Sequence, residues 1–194
     1  DEENVEQAIA GAIESLGGSV QACINTAGGG IAKRTLTKEG PHPLDQFRKV
    51  IDLNLIATFN LNRLQAHAMS QNEPEDGERG VIINTASIAA FEGQIGQVAY
   101  TAAKAGIAGM SLTMARDLGS LGIRVNAIAP SLFSTGITAG IPQEFEDALT
   151  KDAAYPKRMG RPEEVAAVVA AAPAPTAAAA GTTGGTGGGG ATRF

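Results

Sequence analysis

The sequence predicts an α/β fold, with helices wound about an open, parallel sheet. Three observations carry that expectation. Runs at 19–24, 81–86 and 123–129 have the length and apolar content of strands. Long stretches of helical periodicity lie between and beside them, at 44–70 and 98–118, an alternation that makes neighbouring strands parallel. Each run is followed by small or polar residues: Asn25-Thr-Ala-Gly-Gly-Gly30, Ser87, and Pro130-Ser-Leu-Phe-Ser-Thr-Gly136. In such a sheet, ligands bind beyond the carboxyl ends of the strands.

The elements follow in order. Val5, Ala8, Ile9, Ile13 and Leu16 recur at helical spacing over 1–16, with Asp1, Glu2 and Glu3 at the positive end and Gly17-Gly18 as the stop. The strand at 19–24 contains Cys23, the single cysteine, which reads as a core residue. The glycines after it let a ligand lie against backbone. Residues 31–43 form a polar loop carrying Lys33, Arg34 and Lys38, with Pro41, His42 and Pro43 at its end. A single long helix is expected over 44–70, built on Phe47, Val50, Ile51, Leu55, Phe59, Leu61 and Leu64. Asn54 inside it has no propensity reason to be there, and His67 lies near the end where a cation is favoured. Residues 71–80 read as a turn-rich loop of solvated carboxylates. Helix 98–118 is apolar nearly all round, so more than one of its sides must be covered. Its small residues Ala102, Ala105, Gly106 and Gly109 suggest a close neighbour, and helices 44–70 and 98–118 are the expected subunit interface. After the strand at 123–129 come a helical segment near 143–151 and a final helix opened by Pro162.

The chain has 194 residues, 43% of them apolar and 18% charged, and a formal net charge of −5. This suits one domain with an ordinary core. No basic stripe points to nucleic acid, no apolar stretch is long enough to span a bilayer, and one cysteine gives neither an intrachain disulfide nor a multi-cysteine metal site. The two histidines, His42 and His67, make no metal constellation.

The chemistry concentrates in 83–106. Ser87 follows the buried run Val81-Ile82-Ile83, and Tyr100 and Lys104 sit four apart at the start of a helix, on one face. A free phenol titrates near pH 10, and lowering that by about three units takes roughly 4 kcal/mol. An ammonium about 4 Å away supplies about that much at an effective dielectric near 20. Tyr100 with Lys104 is thus an acid/base pair, and Ser87 is placed to hold the oxygen on which it acts.

Together with Asn-Thr-Ala-Ser at the strand end and the small-residue helix behind Tyr100, these residues resemble the short-chain dehydrogenase/reductase family over most of 1–165. The resemblance implies a Rossmann-like doubly wound sheet and a catalytic set of Ser87, Tyr100, Lys104 and Asn54, with Asn54 anchoring a relay water. It implies a cofactor cleft lined by Asn25, Ala27, Gly28, Tyr100, Lys104, Pro130, Phe133 and Thr135. Thr135 would bond the nicotinamide amide, and the region 137–159 would form a lid. Ser131 stands where relatives commonly have Gly. Segments Ile31–Pro43, Gln71–Ser87 and Ala90–Gln94, with Ala129–Phe133, are most similar to the family's type 2 3-hydroxyacyl-CoA dehydrogenases, which implies NAD as cofactor, an acyl-CoA substrate and a homodimer or homotetramer. Ser87, Gln94 and Tyr100 would face the substrate, and Lys33, Arg34 or Lys38 would either meet CoA phosphates or remain solvated. A cytoplasmic location is expected, with a mitochondrial one as the alternative. An NADPH-dependent 3-oxoacyl-carrier-protein reductase and a non-catalytic oligomeric scaffold are the competing readings.

Two departures stand out. No glycine-rich phosphate turn precedes the helix at 1–16, so the chain reads as starting after the first part of the fold. Residues 1–170 are expected to form the C-terminal part of the domain. Residues 171–194, nearly all small, read as a low-complexity or unassigned tail.

Overall fold

A computed structural model describes residues 2–172 apart from 136, 137, 139, 140, 152 and 154. Most of the 171–194 tail lies outside the described residues. The order is α1 (Glu2–Ser15), β1 (Ala22–Asn25), β2 (Leu36–Thr37), β3 (Gly40–Pro41), α2 (Leu44–Ile51), a π-helical turn (Asp52–Ile56), α3 (Ala57–Met69), β4 (Gly80–Thr85), α4 (Val98–Leu118), β5 (Ile123–Ile128), α5 (Gln143–Thr150) and α6 (Pro162–Ala171).

Strand β4 is central. β1 pairs with it in parallel from Ala22 opposite Val81 to Asn25 opposite Asn84. On its other side β5 pairs in parallel from Gly80 opposite Ile123 to Thr85 opposite Ile128. Gly80 through Ile83 are buried without alternation, as expected for a strand covered on both faces. Ile82, Ile123 and Val125 pack with Ala66 and Met69 of α3, and Met114, Ala115 and Leu118 of α4 close over them. Cys23 packs against the edge of this cluster, half-buried. Burying one such side chain contributes about 1.5–3 kcal/mol, and cutting Ile82 to Ala would cost about 2–5 kcal/mol. A second cluster, Val50, Ala99 and Ala103 with Phe47, Ile51, Leu55 and Tyr100, seats the first turns of α4 on α2.

Four details differ from the sequence expectation. The helix expected over 44–70 is interrupted by the π turn at Asp52–Ile56. Its cause is local: Asn54 Nδ2 donates to Val50 O at 2.7 Å, taking the carbonyl four residues back that the α-helical ladder uses. The 31–43 loop contains a short antiparallel hairpin, β2 with β3. Glu78 is not a free solvated carboxylate, because it makes a bidentate pair with Arg124 at 2.7 and 3.1 Å. Gly106 does not share the outer face of α4. A methyl there would come within 2.8 Å of Leu55 Cδ2, so its smallness serves the contact with the π turn. Ala102, Ala105, Gly109 and Leu112 do face outward, and Leu53, Ile56 and Phe59 are each about half exposed nearby in sequence to Leu55. Among the described residues no helix is long and apolar enough to cross a membrane, and no three His, Cys, Asp or Glu side chains are grouped to hold a metal ion.

Candidate active site

The carboxyl ends of β1 and β4 and the first turns of α4 build the site. The loop leaving β1 is held from one side by Asn54. Its Nδ2 donates to Gly29 O at 2.7 Å, and its Oδ1 accepts from Gly29 N at 3.1 Å. Asn54 is fully buried, and with Val50 O both of its N–H groups are engaged. Its amide therefore fastens a loop, a different job from the water anchor expected of it. Gly28 has φ +156°, and a Cβ there would come 2.5 Å from Asn54 Oδ1 and 3.3 Å from Lys104 Nζ. Gly30 lies against Tyr100, where a Cβ would approach ring carbon Cδ2 at 3.1 Å. The glycines thus press backbone against Asn54, Lys104 and Tyr100 together.

Lys104 is 3% exposed. Its Nζ donates to Thr85 O at 2.7 Å and lies 5.6 Å from the centre of the Tyr100 ring. Burial lowers its pKa below the usual 10.5, because the charged form loses water. The neighbouring Thr85 Oγ1 is buried without a hydrogen-bond partner. Ser87 is extended, at φ −168° and ψ 156°, and its Oγ accepts from Ala89 N at 3.2 Å. That leaves its O–H free to donate to an added oxygen. Ile88 N donates to Pro130 O at 3.0 Å, which draws the loop after β5 to the same edge.

Beneath this surface lies a buried polar layer. The Asn25 amide N–H groups reach Asn62 Oδ1 at 2.8 Å and Gln65 Oε1 and Asn84 Oδ1 at 3.0 Å, while Asn25 Oδ1 accepts from Gln65 Nε2 at 2.8 Å. Asn84 Nδ2 donates to Ser111 Oγ at 3.0 Å. Asn25 therefore supports the sheet, as expected, and does so from below the cleft.

The remaining expected residues sit on the rim. Ala27 is exposed beside Gly28. Phe133 bridges to Gly160 in parallel fashion, where its ring packs so closely that Gly160 has no room for a Cβ. Thr135 is exposed, with its backbone N–H on Thr138 Oγ1 at 2.9 Å. Gln94 is exposed and lines a cleft of about 490 Å³ with Arg34, Thr35, Gly93, Ile95, Gly96, Val98 and Thr101. This cleft adjoins Tyr100 through Thr101 but does not include Ser87, Tyr100 or Lys104. Lys33 N donates to Gly96 O at 2.9 Å, fixing the 31–43 segment to the Gln94 loop.

The structure thus brings Gly28, Asn54, Tyr100, Lys104 and the end of β4 into one cluster. Gln94 and the loop cations lie to one side of it, and the contacts of Thr135 do not reach it. The sequence reading missed Gly30, Thr85, Gln65 and Ser111. The Gly-Gly-Gly run was the only available signal for the first. The other three carry no local signature, since polar residues occur at such positions on any half-solvated element.

A family model described as enoyl-(acyl carrier protein) reductase matches residues 1–186. The chain is 49% identical over 168 residues to a Bos taurus protein named 3-hydroxyacyl-CoA dehydrogenase type-2, covering 85% of this chain and 64% of that protein. The Homo sapiens protein of that name is 48% identical over the same shares. A crystal structure of 3-hydroxyacyl-CoA dehydrogenase type-2 from Mycobacterium avium matches with a TM-score of 0.81 and 43% identity, over 85% of this chain and 66% of that one. The chain thus spans just under two thirds of the length of these relatives.

Proposed function

The chain belongs to the short-chain dehydrogenase/reductase family, and on that premise we propose that it is part of an NAD-dependent oxidoreductase that interconverts L-3-hydroxyacyl-CoA and 3-oxoacyl-CoA. The observation that carries the reading is the buried Lys104 beside Tyr100, with Gly28 and Gly30 packed against the pair.

The residues fit a nicotinamide nucleotide on this side. Lys104 Nζ has three donors, and Thr85 O is its acceptor among the described residues, so two can meet ribose hydroxyls. The Gly28–Gly30 backbone offers an approach that any side chain would block, and Thr85 Oγ1 offers a buried polar atom in want of a partner. The cofactor supplies hydride exchange at the substrate carbon. Tyr100 removes the substrate hydroxyl proton in oxidation and returns it in reduction. Lys104 places positive charge against the developing phenolate. Ser87 donates to the substrate oxygen and fixes its direction. Asn54 holds the loop that carries Gly28 and Gly29. Gln94 borders the acyl end, and Lys33, Arg34 and Lys38 attract CoA phosphates. Leu53, Ile56, Phe59 and Leu112, with the small residues of α4, form the face on which a second copy would dock. A cytoplasmic location goes with this reading.

The description of the matching family model favours a second reading, an NADPH-dependent reductase of 3-oxoacyl chains on a carrier protein. Parallel assays of the full-length protein with acetoacetyl-CoA separate the two. Oxidation of NADH supports the dehydrogenase; preference for NADPH and a carrier-bound substrate supports the reductase. Tyr100→Phe should lower turnover by about 10²–10⁴-fold while dinucleotide fluorescence still reports binding. Substantial turnover in that variant would refute both.

A further inference from the structure

We propose that Ser111 and Asn84 are positioning residues for Tyr100 and Lys104, an inference that rests on the acid/base reading of that pair. Helix α4 is fastened to β4 at two places. Lys104 Nζ donates to Thr85 O at 2.7 Å, and seven residues along the helix Ser111 Oγ accepts from Asn84 Nδ2 at 3.0 Å. Seven helical residues span about 10 Å, whereas Asn84 and Thr85 are neighbours on the strand, about 3 Å apart along it. Two bonds that leave the helix so far apart and converge on adjacent strand residues make a triangle. A single bond leaves the helix free to slide along its axis and to roll about the contact. The triangle removes both motions, and with them any drift of Tyr100 relative to Ser87, three residues beyond Asn84.

Each corner is itself braced. The Ser111 O–H donates to Ile107 O at 2.8 Å, which turns an oxygen lone pair towards Asn84. Asn84 Oδ1 accepts from Asn25, and Asn25 is held by Asn62 and in both directions by Gln65. Asn84, Asn62 and Ser111 are at most 2% exposed and Asn25 and Gln65 at most 9%, so water does not compete for these bonds. Asn25 also precedes Gly28 by three residues. The layer therefore registers three site-bearing elements, β1, β4 and α4, against one another, with α3 as backing. A layer that merely satisfied buried polar groups would have no reason to join those elements at this depth.

The test uses the full-length protein. Ser111→Ala should lower kcat about tenfold or more, the scale expected when reacting groups are misplaced by a fraction of an ångström to an ångström, with KM for both substrates within about twofold. Ser111→Thr, which restores the hydroxyl, should recover most of the rate. Ile82→Val, a core loss outside the layer, should leave kcat unchanged at a comparable fall in Tm. An alanine variant with kcat within about twofold of the parent, a threonine variant as slow as alanine, or an equal loss in Ile82→Val would each overturn the proposal. If Ser111→Ala does not fold, Ser111→Cys, which keeps the size but weakens the acceptor, is read in the same way. Tyr100→Phe in the same series separates the two levels. If it stays active, the acid/base reading fails; if it is dead while Ser111→Ala is unaffected, only the positioning role fails.

Discussion

Lys104 and the cations of the 31–43 segment serve neighbouring ends of one cleft from opposite environments. Lys104 is 3% exposed, fixed to Thr85 O, and has its pKa lowered by burial. Arg34 and Lys38 are exposed and Lys33 is half-buried. A desolvated charge held by a hydrogen bond acts on one atom at one distance, which is what proton transfer needs. Solvated charges on flexible stems act over a Debye length and on many geometries, which suits the attraction of a polyanion. The same residue type thus does two kinds of work, and burial decides which.

Breaking the buried side should have the largest effect. Lys104→Met should lower turnover by about 10³-fold, at the scale of losing a preorganised charge at a developing anion. It also carries a pH signature. The folded-state pKa of Lys104 lies below 10.5, so between that lowered value and 10.5 the unfolded chain binds the extra proton and wild-type stability rises with pH. Calorimetry from pH 7 to 10.5 should show the variant's Tm losing ground to wild type as pH climbs. Parallel curves would contradict a buried, charged Lys104 in the folded state.

A smaller effect should come from the loop that touches it. Gly28→Ala forces a methyl against Asn54 Oδ1 and Lys104 Nζ and should cut kcat/KM by about 10²-fold, the scale of an ångström's misplacement. Gly29→Ala meets only Leu53 Cδ2, at 3.8 Å, and should be nearly silent. Equal losses in the two would mean that general loop stiffness matters, not the contact. The solvated side should matter least. Replacing Lys33, Arg34 and Lys38 together by Ala should raise KM for acyl-CoA about five- to tenfold, leave kcat unchanged, and lose its effect in high salt. An unaltered KM would remove those residues from substrate binding.

What was legible in the sequence follows from range. The parallel order, α4 over Val98–Leu118 and Pro162 at the start of α6 came from local periodicity and caps. Ser87, Tyr100 and Lys104 were found because their spacing lies within one strand–helix unit. Asn54 was visible as an anomaly, but its partner Gly29 lies 25 residues upstream, so its task was not. Glu78 looked solvated because Arg124 is 46 residues away. Gly106 was assigned to the wrong side of α4, since small residues do not say whether the neighbour they admit is inside the chain or outside it. Gln65 and Ser111 had no signal, because a polar residue on a helix reads the same whether it meets water or a buried amide.

The π turn at Asp52–Ile56 sets where the chain can tolerate gain or loss of a residue. Deleting one residue there would restore α-helical register and swing everything after it by about 100° with a shift of about 1.5 Å. Asn62 and Gln65 would leave Asn25, and Leu55 would leave Gly106. The hairpin of Leu36–Thr37 and Gly40–Pro41 is bound by no such phase, and changes in its length stay within the loop. Two segments less than twenty residues apart therefore stand at opposite ends of the scale. A single lost codon in the first dismantles the support of the site, while whole codons can come and go in the second.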